Sequence, residues 1–186
     1  MAMPVLETER LRVRVFQMDD LDTIHCILNE AFQTDVTLEG RREWLQWSIL
    51  NETQLSELRQ PPYGDRAIVL KRSGELIGSV GYVPLLAPFG QLPGLGAEPG
   101  SYFTEFGMFW AIDQAHRRHG YAGEAARAMI AYAFEHLHLA RILAMTDYTN
   151  TASQAVMRQL GMRLLRNPLP EPPWLQVVGV INNPSL

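Results

Sequence analysis

At 186 residues the chain fits one domain large enough to bury a single core. Its 16 Lys+Arg against 20 Asp+Glu give a net charge of −4, which argues against a nucleic-acid surface, and 47% hydrophobic content is ordinary for a globular chain. The single cysteine, Cys26, excludes an internal disulfide and a cysteine-held metal cluster. No apolar run approaches the ~18 residues of a membrane span, so a soluble cytoplasmic protein with neither membrane nor nucleic-acid partner is expected.

The first segment, RLRVRVF, alternates Leu11, Val13 and Val15 with Arg10, Arg12 and Arg14 and reads as a half-buried strand with the arginines on its wet face. DDLDTIHCILNEAF follows as a helix, with Asp19 or Asp20 as cap and Leu21, Ile24, Leu28 and Ala31 on one stripe. Cys26 lies among apolar neighbours there and is expected to be a buried structural thiol. His25 beside the stripe reads as a packed histidine. RREWLQWSILNETQLSEL is a second helical segment carrying Trp44 and Trp47. AIVLKRSGELIGSVGYVPL has the form of a hairpin, two β-rich runs around Ser73 and Gly74. Residues 87–101 form a Gly/Pro-rich loop, and YFTEFGMFWAI reads as a central strand, apolar on both faces.

The stretch HRRHGYAGEA, from His116 to Ala125, then places two arginines and two glycines at a helix start. Ala126, Met129, Ile130, Ala133, Phe134 and Leu137 make that helix amphipathic. Glycine leaves the first helical amides uncovered, at the positive end of the helix dipole, where an anion can approach. The arginines favour a diphosphate over a single carboxylate. RILAMT is a further strand. NTASQAVMRQLG is a short helix capped by Asn150 or Thr151 and stopped by Gly161, and WLQVVGV closes the chain as a strand. The order β α α β β β α β α β predicts a mixed α/β sandwich, one sheet with helices on its faces.

Arg117-x-x-Gly120-x-Ala122 resembles the Q/R-x-x-G-x-G/A signature of the GNAT superfamily of acyl-coenzyme A N-acetyltransferases. The text around it, GYAGEAARAMIAYAFEHLHLARILAMTDYTNTASQAVMRQLGM, is similar to the subfamily that includes the ribosomal-protein N-terminal acetyltransferases. The strong part of the resemblance runs from about Tyr102 to Met162. It implies a single GNAT domain over residues 1–186, in the α/β (α+β) class, with a mostly antiparallel central sheet flanked by helices. It implies acetyl-coenzyme A as acetyl donor and a primary amine as acceptor, on a protein N-terminus or a small molecule, attacked directly in a ternary complex. A homodimer is compatible with it.

The resemblance also implies that Arg117, Arg118, His119, Gly120, Tyr121, Ala122 and Gly123 hold the coenzyme A pyrophosphate. By the same route the strand near Ala111 and Ile112 pairs with the pantetheine arm, and Asn150 sits beside that arm, whether or not it also caps its helix. Transfer to an amine needs a proton acceptor, a donor for the thioester oxygen and a donor for the leaving thiolate. Glu105 is the carboxylate of the central strand and the candidate base. It stands about two residues further from the Arg117 motif than the commonest family pattern, where Gly107 would fall. The tyrosine that many family members place seven residues after the asparagine is replaced by Met157, which leaves Ser153 of N-x-x-S as the candidate acid and Tyr148 behind it. Trp44, Trp47, Phe89 and Trp174 are candidate walls of an acceptor pocket. The five histidines have no metal-like spacing, so no metal is expected. The displaced Glu105 and missing tyrosine keep a second reading open, a non-catalytic acyl-coenzyme A-binding or sensing module of the same fold.

Overall fold

A computed structural model describes residues 3–95, 98 and 100–186. The strands are β1 (Leu6–Glu7), β2 (Leu11–Arg14), β3 (Gly64–Leu70), β4 (Leu76–Ala87), β5 (Phe103–Ile112), β6 (Arg141–Thr146), β7 (Arg163–Arg166) and β8 (Val177–Asn182). The helices are α1 (Leu21–Phe32), α2 (Leu38–Glu57), α3 (Tyr121–Glu135) and α4 (Thr151–Gln159). The strands form one sheet in the order β1-β2-β3-β4-β5-β6-β8-β7. The β1–β2, β2–β3, β3–β4, β6–β8 and β7–β8 ladders run antiparallel, and β5 pairs with β6 in parallel at Gly107↔Leu143. One sheet with helices on its faces is what the order of elements predicts, and its mostly antiparallel character is what the family resemblance implies.

Two strands escaped the sequence reading. β1 has two residues and β7 four, too short for an alternation to register. The backbone divides into two compact units, and β4, β5 and α3 each run through both.

The first unit comprises residues 1–82 and 110–131. Its core joins Phe16 of the β2–α1 connection, Leu21, Ile24, Ile27 and Leu28 of α1 and Leu45 of α2 to Ala67 and Val69 of β3, Leu76 of β4 and Ala111 of β5. Ala67 lies opposite Ser79 in the β3–β4 hairpin, so both occupy the sheet face that α1 and α2 cover. The start of β4 runs close against the end of β5. The Asp113 amide donates to the Ile77 carbonyl at 2.9 Å, and a Cβ on Gly78 would collide with the Ala111 carbonyl. Cys26 corrects the sequence reading. It is exposed, because Ile24, Ile27 and Leu28 fill the buried stripe of α1 and leave position 26 on the solvent side. The arginines of β2 also depart from a uniform wet face: Arg12 is exposed, whereas Arg14 forms a two-pronged pair with buried Asp20 at 2.7 and 2.8 Å. Asp20 is therefore occupied and forms no side-chain cap on α1.

The second unit comprises residues 83–109 and 132–186. Its core packs Ala87, Phe89, Leu92 and Leu95 with Leu143, Leu165, Leu175, Val178 and Val180. Phe89 is thus a core residue, with Phe103 tilted against it at 5.5 Å. Met157 is buried as well.

Candidate functional site

In the first unit, β5 ends at Ile112 and the chain passes through a 3-10 turn, Gln114–His116, before α3 begins at Tyr121. Asp113 starts that turn by accepting from the Ala115 amide at 3.0 Å, and it also holds His116 at 2.8 Å. Arg118 and Gly120 both take left-handed backbone, with φ of 65° and 81°. The change of hand turns the next amides outward, and only glycine does this without steric cost. The amides of Gly120, Tyr121, Ala122 and Gly123 make no hydrogen bond among the described residues; the first bond of the helix is Glu124 N–H to the Gly120 carbonyl at 3.0 Å. These are the four orphan donors of a helix start, open to an acceptor and lying at the positive end of the dipole.

The side chains divide into brackets and free groups. Arg117 donates to the Ile112 carbonyl at 3.0 Å and pairs with Glu30 at 2.9 Å, so it ties the turn to β5 and α1. Arg118 is exposed and makes no ion pair among the described residues, which leaves its guanidinium available to an anion. His119 stacks on Tyr121 with centroids 5.6 Å apart, and the Arg10 guanidinium lies 4.6 Å from the centre of the same ring. Arg10 also donates to the His119 carbonyl at 2.9 Å and to Glu124 at 2.6 Å. Burial pushes the Glu124 carboxyl up, but hydrogen bonds from Thr8 and from the backbone and side chain of Arg10 outweigh it and hold it below the usual range. Arg10 and Glu124 therefore clamp the loop to the start of β2. Sequence reading missed the clamp because the two residues are 114 positions apart.

In the second unit, Glu105 on β5 is 8% exposed, and Arg141 at the start of β6 takes both its oxygens, Nε to Oε2 at 2.8 Å and Nη2 to Oε1. An amine proton would have to compete with this guanidinium for the lone pairs. The hydrogen bond to Glu105 in turn raises the Arg141 pKa. Asn150 caps α4 by accepting from the Ser153 amide at 3.0 Å, so the cap reading of Asn150 holds. The same bond draws Asn150 and Ser153 together while leaving the Ser153 hydroxyl without a partner among the described residues. Tyr148 is engaged elsewhere, its hydroxyl donating to the Asn167 carbonyl at 2.6 Å with Arg166 over its ring at 5.5 Å. Trp47 and Trp174 are about half exposed, and Trp44 packs edge-on to Phe16 at 5.7 Å. Among the described residues no group of three His, Cys, Asp or Glu is placed to hold a metal, and no helix is long and apolar enough to cross a membrane.

The family model described as the acetyltransferase (GNAT) domain matches residues 10–163, a span that covers the cradle, Glu105, Asn150 and Ser153. The chain belongs to the GNAT family. It is an acetyltransferase of that family, and its relatives agree. It is 25% identical over 162 residues to the uncharacterized N-acetyltransferase YnaD of Bacillus subtilis, covering 85% of this chain and 82% of that one. The ribosomal-protein-S5-alanine acetyltransferase of Vibrio fischeri shares the fold at a TM-score of 0.66, with 20% identity and 98% of each chain covered. RimL, a ribosomal L7/L12 α-N-protein acetyltransferase solved with coenzyme A, matches at a TM-score of 0.63, with 15% identity over 95% of this chain and 96% of that one. The GNAT fold uses acetyl-coenzyme A.

Proposed function

We propose that this GNAT domain, residues 1–186, transfers an acetyl group from acetyl-coenzyme A to a primary amine in a ternary complex. The observation that carries the reading is the row of unpartnered amides from Gly120 to Gly123 behind the left-handed pair Arg118 and Gly120. These residues fit a pyrophosphate: donors converge, the dipole is favourable and the Arg118 charge is free. Arg117 serves by fixing the turn, and the stacked His119 and Tyr121 form its rim. Ala111 and Ile112, at the end of β5, are the segment on which the pantetheine arm would lie.

Acetyl-coenzyme A supplies an activated acetyl thioester; the rest of the chemistry falls to side chains. Ser153 is the proton donor of this reading, because its hydroxyl is free while those of the obvious rivals, Tyr148 and buried Met157, are engaged or lacking. Glu105 is the carboxylate assigned to take the acceptor's proton. Its bond to Arg141 keeps alive the rival reading of an acyl-coenzyme A-binding module, since a carboxylate held on both oxygens is a poor partner for an amine. The acceptor class is an amine of a protein N-terminus, as in the ribosomal-protein enzymes of the same fold, or of a small molecule; the place of action is the cytoplasm. Free-thiol release from acetyl-coenzyme A over a panel of amines, amino acids and N-terminal peptides tests the proposal. Transfer to one class supports it. Tight acetyl-coenzyme A binding without transfer to any of them favours the binding module.

A further inference from the structure

The first unit contains a second polar cluster, on the sheet face beneath α2 and away from the cradle. Asp65, near the start of β3, is mostly buried with a small exposed part, and its Oδ2 accepts from the hydroxyl of Ser79 on β4. Its Oδ1 has no hydrogen-bond partner among the described residues. Above it, α2 contributes Arg41 and Ser48, 7% and 5% exposed. The Ser48 Oγ is buried with no partner, and it lies 3.9 Å from where a Cβ of Gly64, the residue before Asp65, would stand. Arg41 bonds Asn29 at 3.0 Å and lies against Trp44, yet its Nε also lacks a partner.

Buried polar atoms are almost always satisfied, so the unpartnered Ser48 Oγ and Arg41 Nε on the helix that covers this carboxylate call for an occupant. A carboxylate oxygen and a serine hydroxyl together offer acceptors to an N–H-bearing group, and Asp65 keeps a window to solvent through which that group can arrive. Ser79 adjoins Gly78, whose backbone abuts Ala111 and Ile112, so the cluster neighbours the strand segment assigned to the pantetheine arm.

We propose that Asp65, with Ser79 and Ser48, forms an amine-binding subsite that holds the amino group of the acceptor by N–H donation to Asp65 Oδ1 and Ser48 Oγ. The assignment of that amine as the acceptor rests on the acetyl-transfer reading above. Ser79 fixes the carboxylate by occupying its other oxygen. Arg41 stays on Asn29 and Trp44, and its charge works against the burial that disfavours the ionised form of Asp65. Asp65 is thus a specificity-determining residue for amines.

The test is a backbone amide NMR titration of the full chain with n-butylamine, and with n-butanol as the control that lacks the amino group. Saturable shifts at Asp65, Ser79 and Ser48 with n-butylamine alone are expected. Asp65→Asn should weaken them at least tenfold, Ser48→Ala by less, and Asp65→Glu should recover part of the binding. Absence of saturable shifts in the wild type, or equal affinities for wild type and Asp65→Asn, overturns the subsite. Acetyl-coenzyme A is titrated into the same samples. Its affinity should be unchanged by Asp65→Asn, and failure of the wild type to bind it would sink the acetyl-transfer reading while leaving the amine shifts to decide the subsite.

Discussion

Replacing Asp65 by Asn should make the folded chain more stable above neutral pH and leave its stability nearly unchanged close to pH 4. Burial pushes the Asp65 carboxyl from an ordinary 3.8 up to about 6, against the opposing pull of the Ser79 hydroxyl and the Arg41 charge. An acid that holds its proton more tightly when folded weakens the fold once it ionises. Below pH 3.8 both states are protonated and nothing is lost. Between that value and about 6 the folded chain binds the proton better, so stability falls as pH rises, and above about 6 the loss is complete. At ~1.36 kcal/mol per pH unit the gap corresponds to about 3 kcal/mol, a large share of the ~5–15 kcal/mol that holds a domain together. Asn keeps an oxygen for the Ser79 hydroxyl but carries no charge to desolvate. Arg41, whose own burial lowers its pKa, loses the neighbouring Asp65 charge, which offsets part of the gain. The expected net stabilisation at about pH 8 is therefore ~1–3 kcal/mol. Urea unfolding of both proteins at about pH 4 and pH 8 measures it. A wild type that is the more stable at pH 8, or a difference that is the same at both pH values, would refute the reasoning.

Gly120→Ala should lower acetyl-coenzyme A affinity at least tenfold in a protein that still folds. The new Cβ has room, 3.5 Å from the Arg10 guanidinium, but a φ of 81° strains an L-residue by ~1–2 kcal/mol and turns the amides away; calorimetry with wild-type affinity would remove the cradle from this turn. Glu105→Gln should reduce kcat more than it changes cofactor affinity, and an unchanged kcat would leave Glu105 as the structural partner of Arg141. Ser153→Ala should slow transfer roughly ten- to a hundredfold with the Asn150 cap intact, because the cap uses the Ser153 amide and not its hydroxyl; full activity would take Ser153 out of the reaction.

What the sequence made legible was local. The apolar stripe of α3, the glycine at 120, the alternation in β2 and the β-rich runs of β3 and β4 each act within a few residues, and each element stands where its pattern puts it. The β3–β4 turn contains Gly74 at a φ of 74°, as a tight reversal requires. Pairings made by tertiary packing were not legible. Nothing near Glu105 announces Arg141, 36 residues on. Nothing in LRVR separates Arg14, which closes on Asp20, from Arg12 in solvent. Cys26 sat in an apolar sentence, but helix periodicity, and not neighbourhood in sequence, decides which side it faces. Asp65 and Ser79 lie on the two strands of a hairpin, and nothing in the residues beside them announces that α2 covers that face.

If the Gly120–Gly123 amides hold the acetyl donor for transfer, product must depend on the glycine at 120. Mass spectrometry of an amine and N-terminal-peptide panel after incubation with acetyl-coenzyme A, run in parallel on wild type and on Gly120→Ala, tests it most directly. One class of amine should gain a single acetyl group with the wild type and give at least tenfold less product, at limiting acetyl-coenzyme A, with Gly120→Ala. No acetylated product in any class, from a wild type that binds acetyl-coenzyme A, would contradict it.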